Sequence, residues 1–169
     1  MRLRSLTIVL LSLLAMAIAP LGLAAEQSLS ANDLNPTQLS ATTVFDGFTI
    51  LATAAKGVTI EALPDGRTAS DGEVFTARIK MNGGGTLESR AIKFSVGAAA
   101  ELTVYLNSSS SSDARVLKVM DGSGTVLAEL PAPPDKGSAG MVTAKLPAAG
   151  EYLVMSASSG INIYQIIVR

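Results

Sequence analysis

Short segments in which apolar and polar side chains alternate run along most of the chain. Between residues 75 and 81 every second side chain is apolar, and Thr76, Arg78 and Lys80 lie between them. A period of two is typical of an antiparallel strand with one buried face. Ten segments are predicted strands, and they span residues 45–52, 58–63, 75–81, 91–96, 101–106, 116–120, 126–130, 141–146, 152–157 and 161–168.

Turn-forming residues separate these segments, and no amphipathic helical pattern interrupts them. Glycine, asparagine, serine and aspartate cluster at 82–85 and 121–124, as expected where a chain reverses between strands. The pattern predicts an all-β fold of two packed antiparallel sheets, a β-sandwich or jelly roll, with helical content below about 30%. Strand parity places five side chains in its core: Ile79, Phe94, Val104, Leu117 and Val154.

The first 25 residues have the pattern of a secretory signal peptide. Arg2 and Arg4 precede a mostly apolar run over 6–19, Pro20 breaks it, and small residues follow. An uncleaved anchor helix is the alternative, because the segment from residue 6 to residue 25 is just long enough to span a bilayer. We expect cleavage, and export to the periplasm or the extracellular space without membrane contact. The predicted division is a signal peptide (1–25), a linker or loosely ordered segment (26–43) and a β-sandwich domain (44–169).

Composition excludes most catalytic chemistry. The chain has no histidine, cysteine or tryptophan, so a Ser-His-Asp triad, a cysteine nucleophile and a His or Cys zinc site are impossible. Thirteen Lys and Arg, two of them in the signal peptide, face fourteen Asp and Glu, and this balance lacks the basic field that nucleic acids require. We predict no enzyme and no cofactor. A structural calcium ion is left open, without a defined ligand set; Asp71, Glu73 and Asp121 could supply some of its oxygens, together with loop carbonyls.

Four cations are candidate ligand-binding residues. Arg78 and Lys80 share the outer face of one predicted strand, while Arg90 and Arg115 have core-facing parity at strand edges. Guanidinium groups bind carboxylates through two hydrogen bonds, and a lysine adds a point charge. The cations therefore indicate either an anionic ligand or, alternatively, a solvated sheet face and salt bridges at the rim.

Rings and amides complete the candidate set. Tyr105 lies in the predicted strand 101–106, Asn162 and Tyr164 lie in the last one, and a serine run over 108–112 adds hydroxyl groups. A tyrosine ring presents an apolar face with a polar tip, which suits a sugar ring, although the same rings also cap cores. The predicted ligand-binding residues are Arg78, Lys80, Arg90, Tyr105, Arg115, Asn162 and Tyr164.

Several stretches of the sequence resemble a known kind of domain. They are FDGFTILATAAKGVTIEA, FTARIKMNGGG with SRAIKFSV, LTVYLNSSSSSDARVLKV and SASSGINIYQIIV. Together they look like a carbohydrate-binding-module-like β-sandwich domain of bacterial secreted polysaccharide-degrading proteins, pectate lyases in particular. The resemblance covers about residues 45–169, and the serine run leading to Arg115 is among its specific parts. It implies a galactose-binding-like jelly roll and an acidic plant-type polysaccharide as ligand.

Two functions follow as hypotheses. The first is a non-catalytic carbohydrate-binding domain for an acidic, uronate-containing polysaccharide. The alternative is a structural or adhesion protein of the cell envelope or extracellular matrix, without a glycan site; a lyase with a lysine or arginine base is a third, weaker idea. A polysaccharide is the predicted partner, and the sequence makes no prediction of oligomeric state. Convergence of the cations and rings on one exposed surface favours the first, and pairing of each cation with an acid favours the second.

Overall fold

A computed structural model describes residues 26–169, and the predicted signal peptide lies outside this range. These residues form thirteen strands and a one-turn 3-10 helix at Ala31–Asp33, and no helix among them is long and apolar enough to cross a membrane. The strands are β1 (Gln27–Ser30), β2 (Thr37–Leu39), β3 (Thr43–Phe45), β4 (Phe48–Leu51), β5 (Val58–Ala69), β6 (Val74–Met81), β7 (Ala91–Val96), β8 (Ala100–Ser108), β9 (Arg115–Asp121), β10 (Val126–Ala132), β11 (Ser138–Leu146), β12 (Gly150–Ser156) and β13 (Ile161–Val168).

Two sheets face each other across the main core. The first contains β1, β2, β5, β6, β8, β11 and β13, and the second has the order β10-β9-β12-β7-β4-β3. From β6 to β9, and again from β10 to β13, successive strands alternate between the sheets, so the chain wraps around both as in a jelly roll. The predicted all-β sandwich is confirmed. Neighbouring strands pair in antiparallel orientation, except for a short parallel contact between β11 and β5.

The main core lies between the sheets, and it contains the side chains that the alternation along the strands assigned to it. Phe48 and Phe94 pack with ring centroids 5.5 Å apart, and Phe94 stacks on Tyr152 at 6.2 Å. All five side chains predicted to lie in the core are there, at most 2% exposed: Ile79, Phe94, Val104, Leu117 and Val154.

The first sheet also closes on itself and encloses a second core. Pairings β5–β6, β6–β13, β13–β8, β8–β11 and β11–β5 form a five-stranded ring. A bulge between Ile163 and Gln165 and a register shift between Ala62 and Arg67 allow the strands to curl. Each ring strand contributes to this second core, whose side chains are Leu63, Ala69, Phe75, Tyr105, Ala139, Tyr164 and Ile167.

Residues 26–43, expected to be a linker or loosely ordered, belong to the sandwich. β1 pairs with β13, from Gln27 opposite Val168 to Ser30 opposite Gln165, and β2 pairs with β5. The short strands of this segment hold few alternating positions, so parity alone does not reveal them. These short strands are well ordered because their backbones hydrogen-bond to strands that are distant in the sequence.

Candidate ligand-binding site

Five of the seven predicted site residues lie on one face of the first sheet, the face that curls away from the main core. Lys80, Asn162 and Asn107 are direct cross-strand partners on β6, β13 and β8. Arg78 lies opposite Glu61 on β5. Tyr105 and Tyr164 lie further along the same face. We call this set, Glu61, Arg78, Lys80, Asn107 and Asn162 with the two tyrosines, the polar face.

The cations of the polar face are engaged by carboxylates. Glu61 Oε1 lies 3.1 Å from Arg78 Nη2 and 3.2 Å from Lys80 Nζ. Burial by itself would raise the pKa of the Glu61 carboxyl, but its bonds to Arg78 and Lys80 outweigh burial and lower that pKa. Arg78 and Lys80 are therefore parts of an ion network within the fold.

A bidentate salt bridge between Arg67 and Asp135 joins this network to the segment 133–137. Arg67 Nε and Nη2 donate to the two oxygens of Asp135 at 2.8 and 3.0 Å, and Arg78 Nη1 lies 4.0 Å from Asp135 Oδ2. Burial opposes ionisation of Asp135, yet the Arg67 hydrogen bonds, the Gly137 N–H and the charge of Arg78 lower its pKa. This two-pronged geometry ties the 133–137 segment across the polar face.

Tyr164 and Tyr105 are packing residues of the second core. Tyr164 is fully buried, and its ring stacks on Phe75 with centroids 5.4 Å apart. Burial, assisted by the charge of Asp135, raises the pKa of the Tyr164 hydroxyl to about 12. Tyr105 donates from its hydroxyl to Asp71 Oδ2 at 2.5 Å. Neither ring presents a face to an external sugar in this conformation, which corresponds to the core-capping alternative.

Asn107, the cross-strand partner of Asn162, lies below the 133–137 segment. Asn107 Nδ2 donates to the carbonyl groups of Pro133 and Pro134 at 3.3 and 3.4 Å. Asn107 Oδ1 and both polar atoms of Asn162 have no hydrogen-bond partner within residues 26–169. Both asparagines are at most 1% exposed, so a polymer does not reach them in this conformation.

Arg90 and Arg115 lie elsewhere, at the end of the sandwich where β6, β8 and β12 finish. Arg115 Nη1 donates to Ser109 Oγ at 2.5 Å and to the Gly160 carbonyl. Arg90 Nε donates to the Gly57 carbonyl at 3.4 Å. Among the described residues, no carboxylate oxygen lies within 4.0 Å of either guanidinium group. The rim salt bridges considered for these two arginines are therefore not formed.

Two loops connect the two arginines. The Arg90 guanidinium covers Gly83, where an added Cβ would meet Nη1 at 2.6 Å, and Gly84 packs against the backbone of Ser158. The 157–160 loop then reaches Arg115 through the carbonyl of Gly160. Arg90 has a positive φ of 53°, an uncommon conformation for a residue with a side chain and one that occurs at functional positions. We call Arg90, Arg115 and the loops 82–85 and 157–160 the loop end.

The serine run is folded on itself beside the loop end. Ser110 and Ser112 donate from their hydroxyls to Asp113 Oδ2 at 2.9 and 3.0 Å. These two bonds, with a contribution from the charge of Arg115, lower the pKa of the Asp113 carboxyl. Asp113 thus faces serine hydroxyls, and within the described part of the chain the acceptors of Arg115 are a hydroxyl and a carbonyl.

The residues considered for calcium lie in turns of different sheets. Asp71 and Glu73 belong to the β5–β6 turn, whereas Asp121 caps the β9–β10 turn by accepting from Ser123 and Thr125. Within residues 26–169 no group of three or more carboxylates is placed to hold a metal ion. The calcium ion stays an untested expectation.

An open groove of about 380 Å³ lies among residues that the sequence analysis did not select. The 26–43 segment forms one wall, and the β3–β4 hairpin forms the other. The signal for the hairpin is Asp46-Gly47, since both residues have positive φ (44° and 85°), as a type I′ turn requires. The groove is lined by Ser28, Leu29, Ser30, Asp33, Leu34, Asn35, Thr37, Val44, Phe45 and Asp46.

Comparison with known proteins gives structural similarity alone. No protein-family model matches the chain, and no curated protein matches it. A xylan-binding domain of Paenibacillus barcinonensis is similar in structure, with 16% identity, a TM-score of 0.48, and coverage of 84% of this chain and 91% of that one. A family 35 carbohydrate binding module of Clostridium thermocellum has 12% identity, a TM-score of 0.47, and coverage of 86% and 98%.

A third similar structure is the C-terminal family 6 carbohydrate-binding module of a laminarinase from Zobellia galactanivorans. It has 14% identity and a TM-score of 0.41, and the match covers 85% of this chain and 98% of that one. No pectate lyase is among these three. At such identities the similarity concerns the fold alone, which the strand pairings establish independently.

Proposed function

We propose that this protein is a non-catalytic carbohydrate-binding domain that binds a uronate-containing polysaccharide at the loop end. Arg90 and Arg115 would hold carboxylates of the glycan. Lys80 is paired with Glu61 on the polar face and is not part of this site. The serine and glycine loops would contact the sugar hydroxyls.

One observation carries this proposal, namely how the arginines between residues 26 and 169 are paired. Arg67, Arg78 and Arg169 each have a carboxylate within 4.0 Å, whereas the acceptors of Arg90 and Arg115 among the described residues are carbonyl and hydroxyl groups. A guanidinium group has five N–H donors, and one or two such bonds leave the others free for a carboxylate. The backbone bonds also hold each guanidinium group in place before a ligand arrives.

The expected affinity is weak, between about 1 mM and 1 µM. The buried tyrosines do not contribute a stacking surface, so charge-assisted hydrogen bonds must provide the interaction, at about 1.5–3 kcal/mol each. The chain has a net formal charge of −1, so long-range attraction to a polyanion is absent. Salt should weaken the binding because exposed charge pairs are screened.

Binding without catalysis fits the chemistry of the chain. The sequence has no histidine or cysteine, and the carboxyls of Glu61 and Asp135 are held ionised by cations. A general acid at neutral pH needs a raised pKa, which is the opposite of what these groups have. Product formation from polygalacturonate would contradict this part of the proposal.

A structural or adhesion role is the second candidate. The pairing of Arg78 and Lys80 with Glu61 favours it, because these cations stabilise the fold and are not free for an anionic ligand. In that case the loop end has no ligand, and Arg90 and Arg115 only brace loops.

Affinity electrophoresis of the purified protein in gels containing polygalacturonate separates these candidates. We expect retarded migration of the wild type and at least a tenfold weaker affinity for Arg90→Ala and Arg115→Ala. Arg169→Ala is the matched control, because it removes an exposed, ion-paired arginine. Absence of retardation with any glycan would favour the structural role. A lowered melting temperature of Arg115→Ala with unchanged glycan binding would overturn the assigned site.

A further inference from the structure

The groove of about 380 Å³ lies at an edge of the sandwich where the two sheets meet. One wall is the first-sheet segment from β1 through the 3-10 helix to β2, and the other is the β3–β4 hairpin of the second sheet. Its size falls within the range of about 300–1,000 Å³ typical of small-molecule sites. It lies apart from the loop end, and its residues are not among those of the polar face.

Hydrogen bonds fix one wall of the groove to the sandwich. Asn32 Oδ1 accepts from the backbone N–H groups of Thr76 and Ala77 at 2.8 and 3.2 Å, and Asn32 Nδ2 donates to the Val74 carbonyl at 3.0 Å. Ser30 caps the 3-10 helix through its hydroxyl. These contacts attach the helix to β6, so this wall is a preformed surface.

The polar groups of the groove have free hydrogen-bonding capacity. The side chains of Asp33, Asn35 and Asp46 make no hydrogen bond or ion pair to any other residue of the 26–169 range. Among residues 26–169, the lining contains two carboxylates and no lysine or arginine. A polyanion is therefore disfavoured here, in contrast to the loop end.

Apolar side chains complete the lining. Phe45 is half-buried and packs against the main core, and Val44 is 66% exposed. A surface that combines an aromatic edge and aliphatic groups with carboxylate and amide acceptors suits a sugar ring. The C–H groups of a sugar contact the apolar side chains, while adjacent hydroxyls donate to a carboxylate.

We infer that this groove is a second binding site, and that its ligand is an uncharged sugar residue of a neutral polysaccharide. Asp33 and Asp46 accept hydrogen bonds from its hydroxyls, Asn35 donates and accepts, and Phe45 contacts its apolar face. The groove does not contain Arg90 or Arg115. A failure of the acidic-glycan site of the proposed function would therefore not count against this second site, and a failure here would not count against the first.

The test measures binding to xylan, galactan, arabinan and mannan by affinity electrophoresis, with calorimetry on the matching oligosaccharides. We expect binding to at least one of these neutral glycans, weakened tenfold or more by Asp46→Asn and by Asn35→Ala. Asparagine tolerates the positive φ of Asp46, so Asp46→Asn should keep the hairpin and the native melting temperature. Asp65→Asn is the matched control, because it removes an exposed aspartate outside the groove.

Three results would overturn the inference. The first is no binding to any of the neutral glycans. The second is neutral-glycan binding that survives both groove variants, or that Arg115→Ala abolishes while the groove variants leave it intact. The third is stronger binding of the cationic polymer chitosan, weakened by the same groove variants, which would make the ligand a cation. Loss of polygalacturonate binding on Arg115→Ala with neutral-glycan binding unchanged would support both sites separately.

Discussion

The polar face and the loop end contain cations that look alike in the sequence but have opposite environments. Arg78 has outward parity, yet it is four-fifths buried and paired with Glu61. Arg115 has core-facing parity, yet it is held by a carbonyl and a serine hydroxyl, with no carboxylate within 4.0 Å among the described residues. Parity identifies the face of a strand. It does not show whether another part of the chain later covers that face.

Closure of the first sheet causes the difference. The contact of β11 with β5 brings the 133–137 segment and Arg67 over a face that an open sheet would leave in water. Cations on the covered face need partners, because an unpaired charge in a partly buried place is costly. The loop end lies beyond the ring, and its arginines stay in contact with solvent. Four substitutions and one titration test this contrast.

Truncation of Tyr164 should have the largest effect. Tyr164→Ala removes the central ring of the second core and should lower the free energy of unfolding by about 3–5 kcal/mol, as for other large buried aromatics. Tyr164→Phe is the control, because it keeps the ring and removes a hydroxyl that has no hydrogen-bond partner within residues 26–169. Phenylalanine should leave stability unchanged or slightly higher. Urea unfolding measures both, and an alanine cost below about 1 kcal/mol would mean that the ring core does not support the fold.

Removal of the Asp135 carboxylate should have the next largest effect. Asp135→Ala leaves the Arg67 guanidinium without its two-pronged partner in a place where both side chains are less than one-fifth exposed. We expect a loss of about 1.5–3 kcal/mol, the usual range for hydrogen bonds to charged groups. The same unfolding experiment measures it. An unchanged transition midpoint would show that the 133–137 segment is held by its backbone bonds alone.

Acid should weaken the polar face through the same carboxylates. The pKa values of Asp135 and Glu61 are lower in the folded protein than in the unfolded chain. Their contribution to stability is therefore complete above the unfolded-state pKa and is lost as the pH falls through the folded-state pKa. Unfolding measured from pH 7 to pH 3 should show a steeper decline for the wild type than for Asp135→Asn. Parallel curves would contradict the assigned role of Asp135.

The loop-end arginine should matter much less for stability. Arg115→Ala removes two hydrogen bonds at a partly exposed site where water can take over the Gly160 carbonyl, so the expected loss is about 0.5–1 kcal/mol. A loss as large as that of Asp135→Ala would assign Arg115 to the fold and would erase the contrast between the two regions.

The smallest effect is expected for an ordinary surface pair. Lys93 Nζ lies 3.0 Å from Glu151 Oε2 on the second sheet, and both side chains are more than one-third exposed. Lys93→Ala should change the free energy of unfolding by about 0.2–1 kcal/mol, and this change should shrink further in high salt. It sets the baseline against which the Asp135 and Arg115 effects are judged.

The parts of the fold that depend on local alternation were predictable. Strands β7 and β13 have the predicted bounds, and Val104 and Leu117 lie where parity puts them. Phe75 is a residue whose position local alternation does not predict. It shares parity with Ile79 but packs in the second core, because the strands of the ring twist away from the sandwich.

The candidate site was only partly accessible from the sequence for the same reason. The grouping of Arg78, Lys80 and Asn162 on one face follows from strand parity and one strand pairing. The carboxylate partners Glu61 and Asp135 come from strand pairings and a loop distant in sequence, which no local pattern specifies. The groove was missed because the short strands beside it, β1 and β2, have little alternation.

The pairing of β1 with β13 has a mechanical consequence. Gln27 lies opposite Val168, and Arg169 Nε contacts Glu26 Oε2 at 2.7 Å, so both ends of the described chain emerge at the same point. Tension applied between residues 26 and 169 would load the hydrogen bonds of this antiparallel pair one after another. The pair would open like a zipper at low force, whereas strands pulled lengthwise in shear resist through many bonds together.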